Sequence, residues 1–261
     1  MLLPLLLPLV AQSSMASSAP LVVPSPTTAA KLAVCLEFAR SDPSTAILTA
    51  STWLRESTGG ERAYAHQCMG VADMSLLRWK AAEDAFLVAH DSALPEDHAL
   101  RARLAAMAGN AAIAQDQNIG ALADFEIALA DAANAGDAVL AGGIQVDRAR
   151  ALAALEQLDD AAEALAIARR DAPQNAEAWL LSATLARRQE QFEIAQAQIE
   201  TAAGLDPLNP AIGLEAGVIA VLSGRDEAAA KSWQSVIDLA PGSAEAATAK
   251  AYLAQIEGAP E

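Results

Sequence analysis

Cys35 and Cys68 are the only cysteines of the chain and stand 33 residues apart, which leaves two chemistries open: oxidation to a bridge, or burial as a pair of thiols. A bridge needs an oxidising compartment and Cα atoms within about 7 Å of each other. Closing a loop of this size stabilises a fold by about 3–4 kcal/mol on the chain-entropy model, and export of the chain would favour the bridge. A zinc site would require histidines at ligand spacing beside the thiols, and His66, His90 and His98 are scattered. Without partners at catalytic spacing these three read as surface or helix-packing residues rather than general bases. The adjacent acids Glu83/Asp84 and Asp159/Asp160 read as solvated faces and helix starts rather than as a carboxylate dyad. No nucleophile elbow, phosphate-cradling glycine loop or zinc-protease helix occurs in the sequence. The expectation is a protein with no catalytic residue, cofactor or metal, and an enzyme with an unrecognised site is the least favoured reading.

The elements that must position these residues emerge from a pattern that recurs five times: a small residue, alanine twelve later, a large apolar residue four further on, and a small one three beyond that. The copies are Gly70/Ala82/Phe86/Ala89, Gly109/Ala121/Phe125/Ala128, Ala149/Ala161/Leu165/Ala168, Ala183/Ala195/Ile199/Ala202 and Gly217/Ala229/Trp233/Val236. From the third copy the period is 34 residues, and Pro173, Pro207 and Pro241 keep the same interval. A fixed period of this size indicates an all-α solenoid of stacked helix hairpins, an architecture that presents extended surfaces rather than enclosed catalytic pockets. Each cysteine falls at a similar place on the first helix of neighbouring units. Trp53, Trp79, Trp179 and Trp233 sit at helical spacing among small residues and read as core rather than as stacking platforms.

Hydrophobic residues make up 53% of the chain but aromatics only 4%, so alanine supplies the excess and the helices must lie close together. A net charge of −16 repels phosphate backbones and anionic lipid surfaces, which excludes nucleic acid as an expected partner. Leu2–Val10 is an apolar run followed by the small, polar stretch Gln12–Ala19, the layout of a secretory signal peptide. Its nine residues are too few to cross a hydrocarbon core about 30 Å thick, so no membrane span is expected. Cleavage after Ala16 would export the chain to the periplasm or beyond; a start at Met15 would leave it cytoplasmic. The expected organisation is a signal peptide (1–16), a Pro/Ser-rich leader (17–26), a degenerate first hairpin (27–62), five repeats (63–96, 102–135, 142–175, 176–209 and 210–243) and a capping helix (244–257). The early copies are spaced at 39 and 40 residues, which places extra residues near Pro95 and Asn134–Asp137.

The unit Ala176–Asn209 shows how the sequence becomes structure. Asn175 caps its first helix, Trp179, Ala183 and Ala186 share one face, the chain breaks at Glu190–Gln191, and Phe192, Ala195, Ile199 and Ala202 line the second helix. With Asp206 and Pro207 closing it, and Gly217, Gly224, Ala229, Trp233 and Pro241 repeating the scheme, the chain resembles the tetratricopeptide-repeat family over Ala63–Ser243. Arg148 departs from that pattern, taking a place where the family buries leucine. The resemblance implies a right-handed superhelix whose first helices line a concave groove. It places Arg103, Asn110, Arg150, Arg187 and Arg188 on or near that inner face, with Leu214, Val218 and Val221 forming an apolar end. A partly basic trough in an acidic protein suits an acidic or C-terminal peptide segment. The implied function is a non-enzymatic protein- or peptide-binding scaffold of the cell envelope. The alternative is a self-associating architectural component; the oligomeric state and the partner are left open.

Overall fold

A computed structural model describes residues 23–257; the signal segment and the start of the leader lie outside these described residues. The described chain is thirteen helices with no strand. They are α1 (Pro26–Ser41), α2 (Pro43–Glu56), α3 (Glu61–Ser75), α4 (Trp79–Ser92), α5 (His98–Ile113), α6 (Asn118–Ala135), α7 (Ala138–Ala154), α8 (Leu158–Asp171), α9 (Ala176–Arg188), α10 (Phe192–Leu205), α11 (Pro210–Leu222), α12 (Asp226–Leu239) and α13 (Ala244–Glu257). Each described helix packs against the next, an all-α helical-repeat solenoid in which α13 closes the last hairpin.

Each hairpin from α3/α4 to α11/α12 turns the same way. One residue adopts a left-handed conformation, Leu77, Asp116, Glu156, Glu190 or Gly224. The amide after it then reaches back to a carbonyl five residues earlier, as in Arg78 to Asp73 and Gln191 to Ala186, both 2.9 Å. This closure satisfies carbonyls that a helix end would otherwise leave bare. Helix starts are capped by short polar side chains: the Asp97, Asp137 and Asn209 carboxylate or amide oxygens accept from backbone amides at 2.9–3.2 Å. Asn175 accepts from Glu177 and Ala178.

Packing within each hairpin rests on the recurrent pattern. Ala82, Ala121, Ala161, Ala195 and Ala229 are fully buried, and the small residue on the facing helix selects the large side chain beside them. Where it is glycine, an aromatic ring lies on it: a Cβ built at Gly109 would stand 2.6 Å from Phe125, and one at Gly70 would stand 2.5 Å from Phe86. Where it is Ala149 or Ala183, the large residue is aliphatic, Leu165 or Ile199, and both partners remain buried. The extra residues of the early copies lengthen helices: α5, α6 and α7 run to 16, 18 and 17 residues against 13 or 14 in α9 to α12, and α6 stops at left-handed Gly136. Arg148 is accommodated at the edge of its unit by a 3.0 Å contact to Glu126.

The tryptophans divide. Trp53 and Trp233 are buried, and their indole N–H groups donate to Glu61 at 2.8 Å and to the Leu214 carbonyl at 3.1 Å. Trp79 and Trp179 are only half-buried, against the core expectation. Trp179 lies at the hairpin edge, donating to the Pro173 carbonyl at 3.0 Å, with the Arg169 guanidinium 5.3 Å from its ring centre. A ring with a polar atom to satisfy is well served by such a half-wet place.

Candidate functional site

Helix contacts identify the inner wall. Odd-numbered helices touch their odd-numbered neighbours, α1 with α3, α5 with α7, α7 with α9, α9 with α11 and α11 with α13, while no two even-numbered helices pack comparably. A stack that draws its first helices together curves toward them, so α5, α7, α9 and α11 form its concave side.

Four of the anticipated side chains lie on these helices, each bonded to a neighbour. Asn110 on α5 donates to Asp147 on α7 at 2.9 Å. Arg150 on α7 bridges Asp147 and Glu177 on α9. Arg187 on α9 donates to Glu215 on α11 at 2.6 Å, and Arg188 reaches Glu156 in the α7–α8 turn at 3.1 Å. Arg103 is exposed on α5 and makes no ion pair among the described residues. Leu214 and Val218 are half-buried against the cluster that joins α11, α12 and α13, so they serve the cap more than an open surface. The carboxylates Asp147, Glu177, Glu215 and Glu156 are absent from the sequence expectation, although three of them stand 27, 28 and 32 residues from their arginines, slightly less than one repeat. They offset the positive character expected of the trough. Burial pushes the Asp147 carboxyl above its usual range despite its bonds to Asn110 and Arg150.

These pairs differ in depth. Glu177 and Glu156 are 51% and 72% exposed, whereas the Arg187–Glu215 partners are 23% and 13% exposed. Ion pairs with one wet partner contribute about 0–1 kcal/mol, so the first two arginines can change partners at little cost while the third fastens α9 to α11. Between α7 and α9, Arg150 and Arg188 flank a cavity of about 240 Å³ with Leu165, Leu181 and Leu185 in its lining. Two guanidinium groups and aliphatic side chains lining one cavity can take a carboxylate together with a short apolar side chain.

Two buried polar nodes lie elsewhere. His90 on α4 and His98 on α5, scattered in the sequence, converge on Asp131 of α6 at 2.9 and 3.3 Å, and Arg101 joins them at 3.3 Å. The separations of 41 and 33 residues bracket one early repeat, a period signal carried by titratable residues. Burial raises the Asp131 carboxyl, but the bonds from His90, His98 and Arg101 outweigh it and hold the group below its usual value. Asp124 on α6 is buried with one carboxylate oxygen unpartnered; burial, then the nearby Glu83 charge, pushes it up to about 6. Cys35 and Cys68 lie on α1 and α3 with Cα atoms 6.0 Å apart, within reach of a bridge.

Residues 146–190 and 180–244 match the model of the tetratricopeptide-repeat family. No curated protein matches the chain by sequence. Among solved structures, the chain is similar to PilF of Pseudomonas aeruginosa, with a TM-score of 0.67 and 17% identity, covering 86% of this chain and 97% of that one. PilW, a widely conserved type IV pilus biogenesis factor, superposes with a TM-score of 0.68 at 17% identity, covering 86% and 99%. YrrB, a TPR protein with an unusual peptide-binding site, gives 0.51 at 20% identity, covering 77% and 97%. At these identities the likeness is one of fold.

Proposed function

This chain is a tetratricopeptide-repeat protein, and from that premise we propose that it is a non-enzymatic scaffold of the cell envelope that captures a protein or peptide segment along its inner wall. The ligand class is an acidic or C-terminal peptide segment carrying a short aliphatic side chain, with the α7–α9 cavity as the anchor point. One observation carries this reading: Arg150 and Arg188 are among the residues that line a largely aliphatic cavity, and each pairs with a carboxylate exposed enough to be displaced, Arg150 keeping Asp147 as its second partner. In this reading Glu177 and Glu156 occupy the place of ligand carboxylates until a ligand arrives. Arg103 and Asn110 extend the polar track along α5, Arg187 holds the wall in shape, and Leu214 and Val218 border its far end. Peptide binding by YrrB lends the reading a precedent in the fold. The pilus biogenesis role of PilW, with the signal-like N-terminal segment, supports an envelope location. Export also supports an oxidised Cys35–Cys68 pair, since secreted thiols at bridging distance rarely persist free.

Display of random C-terminal peptides tests the site. Selection on the wild-type protein should enrich acidic sequences ending in a small aliphatic residue. The Arg150→Ala/Arg188→Ala variant, checked for unchanged helical circular dichroism, should lose that enrichment. Failure to enrich any such class, or equal selection by the variant, rejects the inner-wall reading.

A further inference from the structure

The two ends of the stack differ in chemistry. At the C-terminal end α13 turns Ala247, Lys250, Ala251 and Gln255 outward, small or polar residues suited to solvent. At the other end of the described chain, α1 and α2 splay around an open cleft of about 660 Å³ lined by Lys31, Val34, Leu48, Thr52 and Trp53. Val34 is 56% and Leu48 is 69% exposed, and the Lys31 ammonium lies over the Trp53 ring at 5.6 Å while reaching Glu61 at 3.4 Å. Within the stack, the equivalent side of a hairpin is covered by its neighbour, as the contacts between successive hairpins show.

Charge points to the occupant of this face. Residues 1–22 carry no charged side chain, and residues 23–56 carry Lys31, Arg40 and Arg55 against Glu37, Asp42 and Glu56. The whole net charge of −16 therefore resides from residue 57 onward. Two copies approaching body to body bring together two strongly negative net charges; through α1 and α2 they meet a face of balanced charge while the acidic bodies stay far apart. We propose that the α1/α2 face docks a second copy of this chain, giving a two-fold pair joined end to end at the first hairpins. Because α13 offers no matching apolar face, the association closes at two copies instead of propagating as a head-to-tail filament. The pairing goes beyond the proposed ligand site and leaves it free, since that site lies between α7 and α9; a dimer thereby presents two grooves to one assembly.

Sedimentation velocity on the full mature chain, over about 1–100 µM and at low and high salt, tests the proposal. The expected result is a concentration-dependent species of twice the monomer mass, tightened by salt because screening relieves repulsion between the acidic bodies. Leu48→Asp, at an exposed position, should weaken pairing by about 100-fold through two lost apolar contacts and two opposed charges, with helical circular dichroism unchanged. Val34→Asp should act alike. A monomer throughout the range, a dimer indifferent to both substitutions, a dimer loosened by salt, or open-ended polymers would each overturn the proposal. Peptide selection by the Leu48→Asp variant should match the wild type, so failure here is distinguishable from failure of the groove.

Discussion

The exchange between glycine with an aromatic ring and alanine with an aliphatic side chain makes a quantitative prediction at Gly109. A methyl group there would stand 2.6 Å from Phe125 Cε1 and 2.9 Å from its Cδ1 and Cζ atoms, well inside the van der Waals distance of about 3.5–4.0 Å. Overpacking of a fixed core costs about 1–3 kcal/mol. Contacts this short place the clash in the upper part of that range, at about 2–3 kcal/mol, and alanine recovers about 1 kcal/mol of helix propensity over glycine, so Gly109→Ala should destabilise by about 1–2 kcal/mol. Phe125→Leu alone leaves a gap in a fully buried site and should cost about 1–2 kcal/mol. The pair together reproduces the combination found at Ala149/Leu165 and Ala183/Ile199, and should lose less than about 1 kcal/mol, a coupling of roughly 2 kcal/mol between the two positions. Urea unfolding followed by circular dichroism, with the slope checked for constancy across the four proteins, measures all three differences. A neutral or stabilising Gly109→Ala, or losses that add within about 0.5 kcal/mol, would refute the claim that this contact sets the helix spacing.

Asp124 makes the pH prediction. Its carboxyl is raised from 3.8 to about 6, so the folded state binds a proton more tightly than the unfolded one. The resulting stabilisation is fully present below about pH 4 and is lost as pH rises through about 6. Asp124→Asn should remove that slope and stabilise the protein above pH 7 by roughly 1–2 kcal/mol, read from thermal midpoints across pH 4–8; an unchanged pH profile would place the proton elsewhere. For Cys35 and Cys68, thiol titration of the mature protein under denaturing, non-reducing conditions should find no free thiol. Replacing both by alanine should cost about 3–4 kcal/mol on the chain-entropy model, seen as a lower urea midpoint; two reactive thiols, or an unaffected midpoint, would make the pair structural neighbours only.

Local pattern explains why the fold was legible and much of the site was not. The small residues Gly70, Gly109, Ala149, Ala183 and Gly217 and their alanine partners recur because helix axes can approach only where side chains are small, so their spacing reports the hairpin directly. Glu190 could be read as a break for a similar reason: the left-handed turn residue interrupts the helical face on either side of it. A side chain's place along a helix is equally local, which is why Asn110, Arg150, Arg187 and Arg188 could be assigned to first helices of their hairpins. Their partners are another matter. Whether Arg150 meets Glu177, or His90 meets Asp131, depends on the rotation between neighbouring units, which no single period encodes. The half-exposure of Trp179 has the same origin, since only the placement of Pro173 and Arg169 beside its ring decides that it remains at the surface.

The energetics of the wall separate its structural from its exchangeable charges. Fully buried alanines at every crossing, with Phe86, Phe125, Leu165, Ile199 and Trp233 filling the space around them, make the hairpins cohere without help from ion pairs. Burying one such large apolar side chain contributes about 1.5–3 kcal/mol, more than the roughly 0–1 kcal/mol of a solvated pair. The Arg150–Glu177 and Arg188–Glu156 contacts are therefore dispensable to the stack. On the proposed reading, an incoming carboxylate that displaces Glu177 or Glu156 would return either acid to water at small cost and gain the Arg150 and Arg188 guanidinium groups. Arg187 and Glu215 are shielded on both sides, where loss of one partner strands the other, at a cost of several kcal/mol for a buried charge. On the proposed inner-wall reading, a ligand carboxylate would be directed to the α7–α9 segment while α9 and α11 keep their registry, and pairing through the neutral first hairpin would leave that segment free.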